Sequence, residues 1–496
     1  MGSRIDPSKT IVTKWSSSDA SKDFQVHNPA TGAVIATIRA GDKSTAAKAV
    51  ETAQAAFEEW RKTTLAARSQ VLFQCAAVLE EHKQELAELL CSENGKPVAD
   101  ALAFDVNFVV TIFRYFGSLV DKLPGEFYDS GPVYRTVVRE PHGVCVGILP
   151  FNWPPIHTGG KAAPCLAMGN TMILKPGEQA PLTSMRIVDL LQTVLPPGVL
   201  QYVPGWGPEV PQALTEHPLV KMISLTGSTA AGAAMAKTAS ALVKPTVLEL
   251  GGKNAIVVFG DADVERAVHD SIEGAFFNKG EACTASSRLL VHKDIYDTFV
   301  TKLSAAVRKV QAGNGMDKST HVGPCVTKAQ RDRVMEYIRI GKEEGAKIEA
   351  QGLLPQGEDT KEGYFVPPTL FTNVSRGMRI AQEEMFGPVV TVMPFSTEDE
   401  AVSIVNEVRY GLLCGVYSRD MELALRVSRN VQIGMVFINN YFRNVMGIPF
   451  GGVKETGYGR EHCIETLKDW STAKVIQIPS GMSAIPSWRA VPDVFS

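Results

Sequence analysis

Between Thr45 and Ser118, apolar residues recur at three- and four-residue spacing: Val71, Leu72, Cys75, Val78, Leu79, Leu86, Leu89 and Leu90. That period is the signature of helices with one buried face, and Asn94-Gly95 closes the run as a helix stop. Further along, the rhythm changes. Short β-branched or apolar runs at 143–149, 171–175, 200–204, 221–225 and 246–250 alternate with helical stretches. Such alternation predicts a doubly wound α/β domain with a mostly parallel sheet. After Gly251-Gly252 it starts again, with strands expected at 255–259, 288–292, 389–393, 412–417 and 435–439 and helices at 294–312, 327–344 and 420–432. A second α/β unit follows from that. Two segments, 133–140 and 471–479, alternate polar and apolar residues and fit neither sheet. They read as edge strands of a small third unit that pairs between subunits.

One uncharged stretch, 141–160, has the length of a membrane span. Pro150, Pro154, Pro155 and its glycines break such a helix, so it reads as a short buried strand and a loop. At 496 residues and 45% hydrophobic, the chain has room for two or three domains with their own cores. Lys plus Arg, 50, nearly balances Asp plus Glu, 53, without a long run of one sign. Nothing in that balance points to nucleic acid or a membrane surface, which leaves small molecules and self-association as the expected partners. The eight cysteines form no CxxC pair and no cluster at zinc spacing, so no metal site is expected and free thiols in a reducing compartment are. The first residues hold no apolar targeting core, and a soluble, cytoplasmic protein is the expectation.

Candidate chemistry sits at a few places. Cys283 follows an Asn-Lys-Gly turn signal in FFNKGEACTASSR, where a thiol and its own backbone N–H can serve as nucleophile and oxyanion donor. Glu249 ends a predicted strand in LELGGK, at the sheet edge where α/β proteins keep their sites, and a carboxylate there can act as general base. Proline-flanked Asn152 in LPFNWPP offers an amide donor to an oxyanion. For a cofactor, LTGSTAAG (225–232) runs from a strand into a helix whose N-terminus can receive a pyrophosphate, and LKPGE (174–178) brings Lys175 and Glu178 to a strand end. Taken singly, each fragment has a plainer explanation: a buried cysteine, a strand-end glutamate, an Asx-turn asparagine, a helix cap, a charged turn.

In this order the fragments resemble the aldehyde dehydrogenase superfamily: Pro150-Phe151-Asn152-Trp153-Pro154, Lys175-Pro176-Gly177-Glu178, Thr226-Gly227-Ser228-Thr229 with Gly232, Glu249-Leu250-Gly251-Gly252-Lys253, Asn278 to Cys283, Glu383 to Pro388, and Pro449-Phe450-Gly451-Gly452. The resemblance covers about residues 25 to 480. It implies a dinucleotide-binding domain from 1–130 and 147–250, a catalytic domain at 251–440, and oligomerisation strands and tail at 131–146 and 471–496. It also implies that Cys283 forms a thiohemiacetal and then a thioester, that Asn152 and the Cys283 N–H hold the oxyanion, and that Glu249 activates the hydrolytic water. The cofactor is then NAD, with NADP the other possibility, held by Lys175, Glu178, Gly227, Ser228, Glu384 and Phe386. Trp153, His157, Arg443 and Phe450 are expected at the substrate. Arg443 suggests a polar, anionic or aromatic aldehyde, since a guanidinium pairs with anions or stacks on rings. A homodimer or homotetramer is expected. Lys279 and Glu281 stand where glutamine is frequent, and Ala282 where cysteine is; these departures are expected to alter the pocket rim. Two alternatives remain: a CoA-acylating semialdehyde dehydrogenase, whose relatives generally lack the glutamate found here at 249, and a non-catalytic, crystallin-like protein, which would have lost the nucleophile or the base.

Overall fold

The computed structural model describes residues 5–6, 8–441 and 446–485. The expected helices form as Lys43–Trp60, Leu65–Glu81, Lys83–Asn94 and Asn107–Leu119. Asp42 and Thr45 cap the first reciprocally, and Gly95, at φ 90°, ends the third in the left-handed region. Between the last two, Ala101–Val106 adopts a wider π-helical turn. The whole run Val98–Leu119 is long and apolar enough to cross a membrane by length and composition. Here Val109, Val110, Ile112, Phe113 and Phe116 are buried in the protein core.

The first sheet has six strands, and its five parallel members stand in the order Thr246–Glu249, Val220–Thr226, Val144–Ile148, Thr171–Lys175, Leu200–Tyr202. The chain begins in the middle, winds to one edge, then crosses back. Its switch point therefore lies between Val144–Ile148 and Val220–Thr226, where a crevice opens at the carboxyl ends of the strands. A short antiparallel strand, Gly457–Tyr458, joins the edge beside Glu249.

The second sheet has seven strands centred on Ala255–Val258 and Arg288–His292, with Thr369–Thr372, Val389–Phe395, Leu413–Tyr417 and Met435–Ile438 in parallel and Lys347–Gln351 antiparallel at one edge. The two alternating segments pair with each other: Ser471–Pro479 runs antiparallel along Val133–Pro141, and Glu126–Asp129 adds a third strand. Phe127, Val475 and Ile478 stand exposed on this sheet.

Two elements differ from expectation. Thr10–Ile11, Asp23–His27 and Val34–Arg39 form a leading sheet that their mixed burial did not announce. The loop expected after the buried strand ends at Trp153, and a helix runs over Pro154–Ala167. Pro154 and Pro155 occupy its first turn, where the missing N–H groups have no intrahelical acceptor. Gly159 permits close packing, since a Cβ there would come within 2.6 Å of Val109.

Candidate functional site

At the switch point lies a cavity of about 630 Å³. Ile148 to Asn152 form one wall, Leu225 to Ser228 another, and Cys283, Glu384 and Phe386 come in from the second sheet's side. Cys283 thus reaches a crevice made by the other α/β unit, which is why two distant motifs meet there.

The turn before Cys283 is unusual in its backbone. Asn278, Lys279 and Gly280 all have positive φ, of 49°, 63° and 67°. Glycine at 280 is required by close approach, because a Cβ would sit 2.2 Å from the Gly387 carbonyl oxygen. The two non-glycine residues cost on the order of 1–3 kcal/mol each, so their surroundings must hold them. They do. The Asn278 amide donates to the Asn152 and Glu281 carbonyls at 3.0 and 2.9 Å, and Lys279 Nζ donates to Asn94 O and Oδ1 at 2.7 and 2.6 Å. Asn254 Nδ2 donates to the Cys283 carbonyl at 2.7 Å. The Asn152 carbonyl also accepts from Lys96 Nζ at 3.1 Å, while Lys96 pairs with buried Asp105 at 2.8 Å. Both loops are therefore anchored by main-chain carbonyls, and Cys283 and Asn152 line the same cavity.

Lys279 and Glu281 are not at a pocket rim as expected. Both are fully buried, with Nζ and Oε2 3.0 Å apart, an ion pair outside hydrogen-bonding alignment. Their neighbour Ala282 does face a cavity.

Electrostatics disfavour charge on the thiol. Burial pushes the Cys283 thiol well above its ordinary value, and the carboxylates of Glu249, Glu384 and Glu461 push it the same way. Glu249, at the end of its strand, is buried with Oε1 lacking a hydrogen-bond partner. Burial and then Glu461 raise its carboxyl well above the carboxylate range, against the opposing pull of Lys161, Arg460 and the Cys283 thiol. Glu461 itself pairs with fully buried Lys161 at 2.8 Å, which holds it ionised down to about 2 despite burial. Glu384 accepts from the Gly252 N–H at 2.9 Å, and burial lifts its carboxyl to about 7.

Lys175, Glu178, Gly227, Ser228, Glu384 and Phe386 all line the same cavity as Cys283 and Asn152. Lys175 and Glu178 form an ion pair. Ser228 caps the helix Thr229–Ala241, accepting from the Ala231 N–H at 3.2 Å, so the plainer helix-cap explanation holds beside the cofactor one. Thr226 Oγ1 and Thr229 Oγ1 are buried without hydrogen-bond partners at that helix start. Orphaned hydroxyls beside a helix N-terminus fit the phosphates of a dinucleotide.

A second cavity, of about 670 Å³, lies beyond the Cys283 loop. Phe104, Phe276, Phe277, Ala282, Thr284 and Tyr441 line it, with Asp100 and Glu273 among its polar groups. The π-helical turn carries Phe104 inward, where its ring meets Phe277 edge-on at 5.3 Å. Sequence reasoning missed these aromatics because they arise from segments 175 or so positions apart, with no shared spacing.

The residues expected at the substrate fare differently. Trp153 packs behind Phe104 and Phe277, at 5.2 and 5.5 Å between ring centres, and Lys96 Nζ lies 4.0 Å from its ring centre. His157, in the first turn of its helix, is buried with both ring nitrogens unpartnered, and burial lowers it to about 3, keeping it neutral. Phe450 packs on His462 at 5.9 Å. None of the three lines either cavity: the helix that starts at Pro154 turns Trp153 and His157 into the core, and Phe450 packs into the core of the second α/β unit. Arg443 lies outside the described residues.

The model of the "Aldehyde dehydrogenase family" matches residues 15–476. An aldehyde dehydrogenase of Didymella fabae is 69% identical, over 98% of this chain and 99% of its own. The cytosolic aldehyde dehydrogenase 1 of Mus musculus is 38% identical over 94% of this chain and 93% of its own. Among solved structures, the NAD+ complex of an aldehyde dehydrogenase from Bacillus cereus superposes with a TM-score of 0.90 at 36% identity, covering 92% of this chain and 94% of that one.

Proposed function

The chain belongs to the aldehyde dehydrogenase family and oxidises aldehydes, and from that premise we propose that it releases the free acid through a thioester on Cys283, with NAD as hydride acceptor. The observation that carries this reading is the meeting of Cys283 and Asn152 in one cavity, with Glu249 acting on the thiol.

Because the thiol is held protonated, attack requires its proton to leave first. The carboxylate form of Glu249 takes it, and the thiolate adds to the aldehyde carbon. The Asn152 amide and the Cys283 N–H receive the developing oxyanion, a preorganised pair that needs no rearrangement when charge appears. Lys175, Glu178, Gly227, Ser228, Glu384 and Phe386 would hold the nicotinamide cofactor in the first crevice, where it would supply the hydride acceptor. The hydride leaves the substrate carbon for that acceptor as the carbonyl re-forms, which leaves an acyl group on Cys283, and Glu249 gives up the thiol's proton to solvent. As a carboxylate again, Glu249 draws a proton from water, the water oxygen attacks the thioester, and the acid departs as Cys283 takes a proton back. Sharing the cavity wall with Glu178 favours NAD, since a carboxylate accepts from a ribose 2′-hydroxyl and repels a 2′-phosphate. Hydrolysis, as against transfer to CoA, is supported by the presence of Glu249.

The aldehyde enters from the second cavity. Its rings favour a flat aromatic or polar aldehyde over a long aliphatic chain, and edge-to-face contacts on Phe104 and Phe277 would orient it. Cytoplasmic residence is supported by the cytosolic mouse relative. A homodimer, or a tetramer of two dimers, is supported by the exposed apolar residues on the sheet of Ser471–Pro479. The decisive experiment is a panel of aldehydes read by NADH absorbance, with product identified as acid or as CoA thioester. CoA-dependent product formation would overturn hydrolysis. Light scattering that finds only monomer at micromolar protein would overturn the assembly.

A further inference from the structure

Lys279 and Glu281 bracket Gly280 just before the nucleophile, and no step above uses them. Lysine does not enter the left-handed region by local preference, yet Lys279 sits there at φ 63°. What holds it is the far end of its side chain. An ammonium has three protons. Two go to Asn94, at its carbonyl and its amide oxygen, and the third side faces Glu281 Oε2 at 3.0 Å. Glu281 Oε1 in turn accepts from the Val326 N–H at 3.0 Å.

The contact with Asn94 has a geometric consequence. With its amide oxygen taken by the cation, the Asn94 NH₂ faces the Phe151 carbonyl and donates to it at 3.0 Å. Phe151 precedes Asn152. The turn that presents the nucleophile and the loop that presents the amide donor are thus joined twice, by Asn278 to the Asn152 carbonyl and by Lys279 through Asn94 to the Phe151 carbonyl. Without a cation at 279, the Asn94 amide oxygen loses its charged partner, and the Phe151 carbonyl alone of these two contacts still orients the side chain. The groups that most displace the Cys283 thiol are Glu249, Glu384 and Glu461 rather than this pair.

We propose that the buried Lys279–Glu281 ion pair is a positioning element that fixes the Asn152 amide relative to the Cys283 thiol, through Asn94 and the Phe151 carbonyl. This rests on the roles given to Cys283 and Asn152 above. Removing either partner alone leaves an uncompensated buried charge, so the informative variant removes both.

The test compares wild type with K279M/E281Q in melting temperature, NAD binding, alkylation of Cys283 by iodoacetamide, and the pre-steady-state burst of NADH with an aldehyde. Alkylation needs the thiol but no oxyanion donor, whereas the burst needs both. The expected result is a folded double variant with unchanged NAD affinity, alkylation within about twofold, and a burst slowed about 100-fold, the scale of a misplacement near 1 Å. A wild-type burst rate in the folded variant overturns the proposal, and so does a burst that falls only in step with alkylation. If K279M/E281Q does not fold, K279Q/E281Q, which keeps polar ends without charge, is read by the same two rates. Failure of the underlying reading looks different: wild type would show no burst, or C283A would retain one.

Discussion

The two cavities that meet at the Cys283 loop are of similar size and opposite construction. The first crevice's floor comes from strand ends and the turns that follow them, Ile148 to Asn152, Lys175 to Gln179, Leu225 to Ser228 and Leu250-Gly251, with helix side chains such as Met235 and Arg333 closing its sides. Its floor is therefore set largely by the backbone. The second cavity is walled mainly by side chains, among them the rings of Phe104 on the π-helical turn, Phe277 and Tyr441. A backbone-built site suits a ligand that never changes, the dinucleotide. A side-chain-built site can be altered by one substitution at a time without disturbing the sheet, which suits a variable aldehyde.

The strongest way to break this comparison is C283A, which removes the thiol of the first cavity from the loop whose neighbours Ala282 and Thr284 line the second. Turnover should fall by at least about 1,000-fold while NAD binding, measured by fluorescence, stays within about twofold, since a small side chain replaces a small thiol. Retained turnover would sink the assignment of the nucleophile. E249Q should slow the burst of NADH and slow deacylation more, by about 100-fold or more, so that a single burst still precedes slow turnover. A burst slowed equally would assign Glu249 chiefly to the thiol. The pH dependence follows from the raised carboxyl of Glu249. A base whose folded value lies above the ordinary range works only once pH passes that value, so deacylation should climb with pH above the ordinary carboxylate range, and this limb should vanish in E249Q.

Smaller changes should separate the cavities. F277A should raise KM for aromatic aldehydes about tenfold, the equivalent of one lost ring contact of about 1.5 kcal/mol, and leave KM for NAD unchanged. An equal rise for hexanal would remove the case for ring recognition. E178A should do the reverse, narrowing the preference for NAD over NADP about tenfold with aldehyde KM unaffected; a wild-type enzyme preferring NADP would contradict the cofactor choice outright. The smallest effect is expected of R443M, about a threefold rise in KM for anionic aldehydes with hexanal spared, the scale of a single weak charge pair.

The sequence alone determined the two wound sheets and the pairs of residues at their carboxyl edges. Strand periodicity is local, and a glycine-rich turn after a strand must be where the chain approaches a ligand, so Glu249, Ser228, Lys175 and Asn152 could be read from short windows. Cys283 was legible because its turn is built from Asn278, Lys279 and Gly280, residues adjacent in the chain. Tertiary structure alone decided the rest. Trp153 is as close in sequence to Asn152 as Phe151 is, and His157 is only five residues on, yet a helix that starts at Pro154 turns both into the core. Lys161 and Glu461, or Lys279 and Asn94, gain their partners across 300 and 185 positions. A buried charge is tolerable only where a partner of opposite sign or hydrogen bonds compensate its lost hydration. Glu281 stands two residues from Lys279, but the Asn94 acceptors and the Lys161–Glu461 pair lie in no short window, and so neither the electrostatics of Glu249 nor the tether of the nucleophile turn could be seen before the chain was folded.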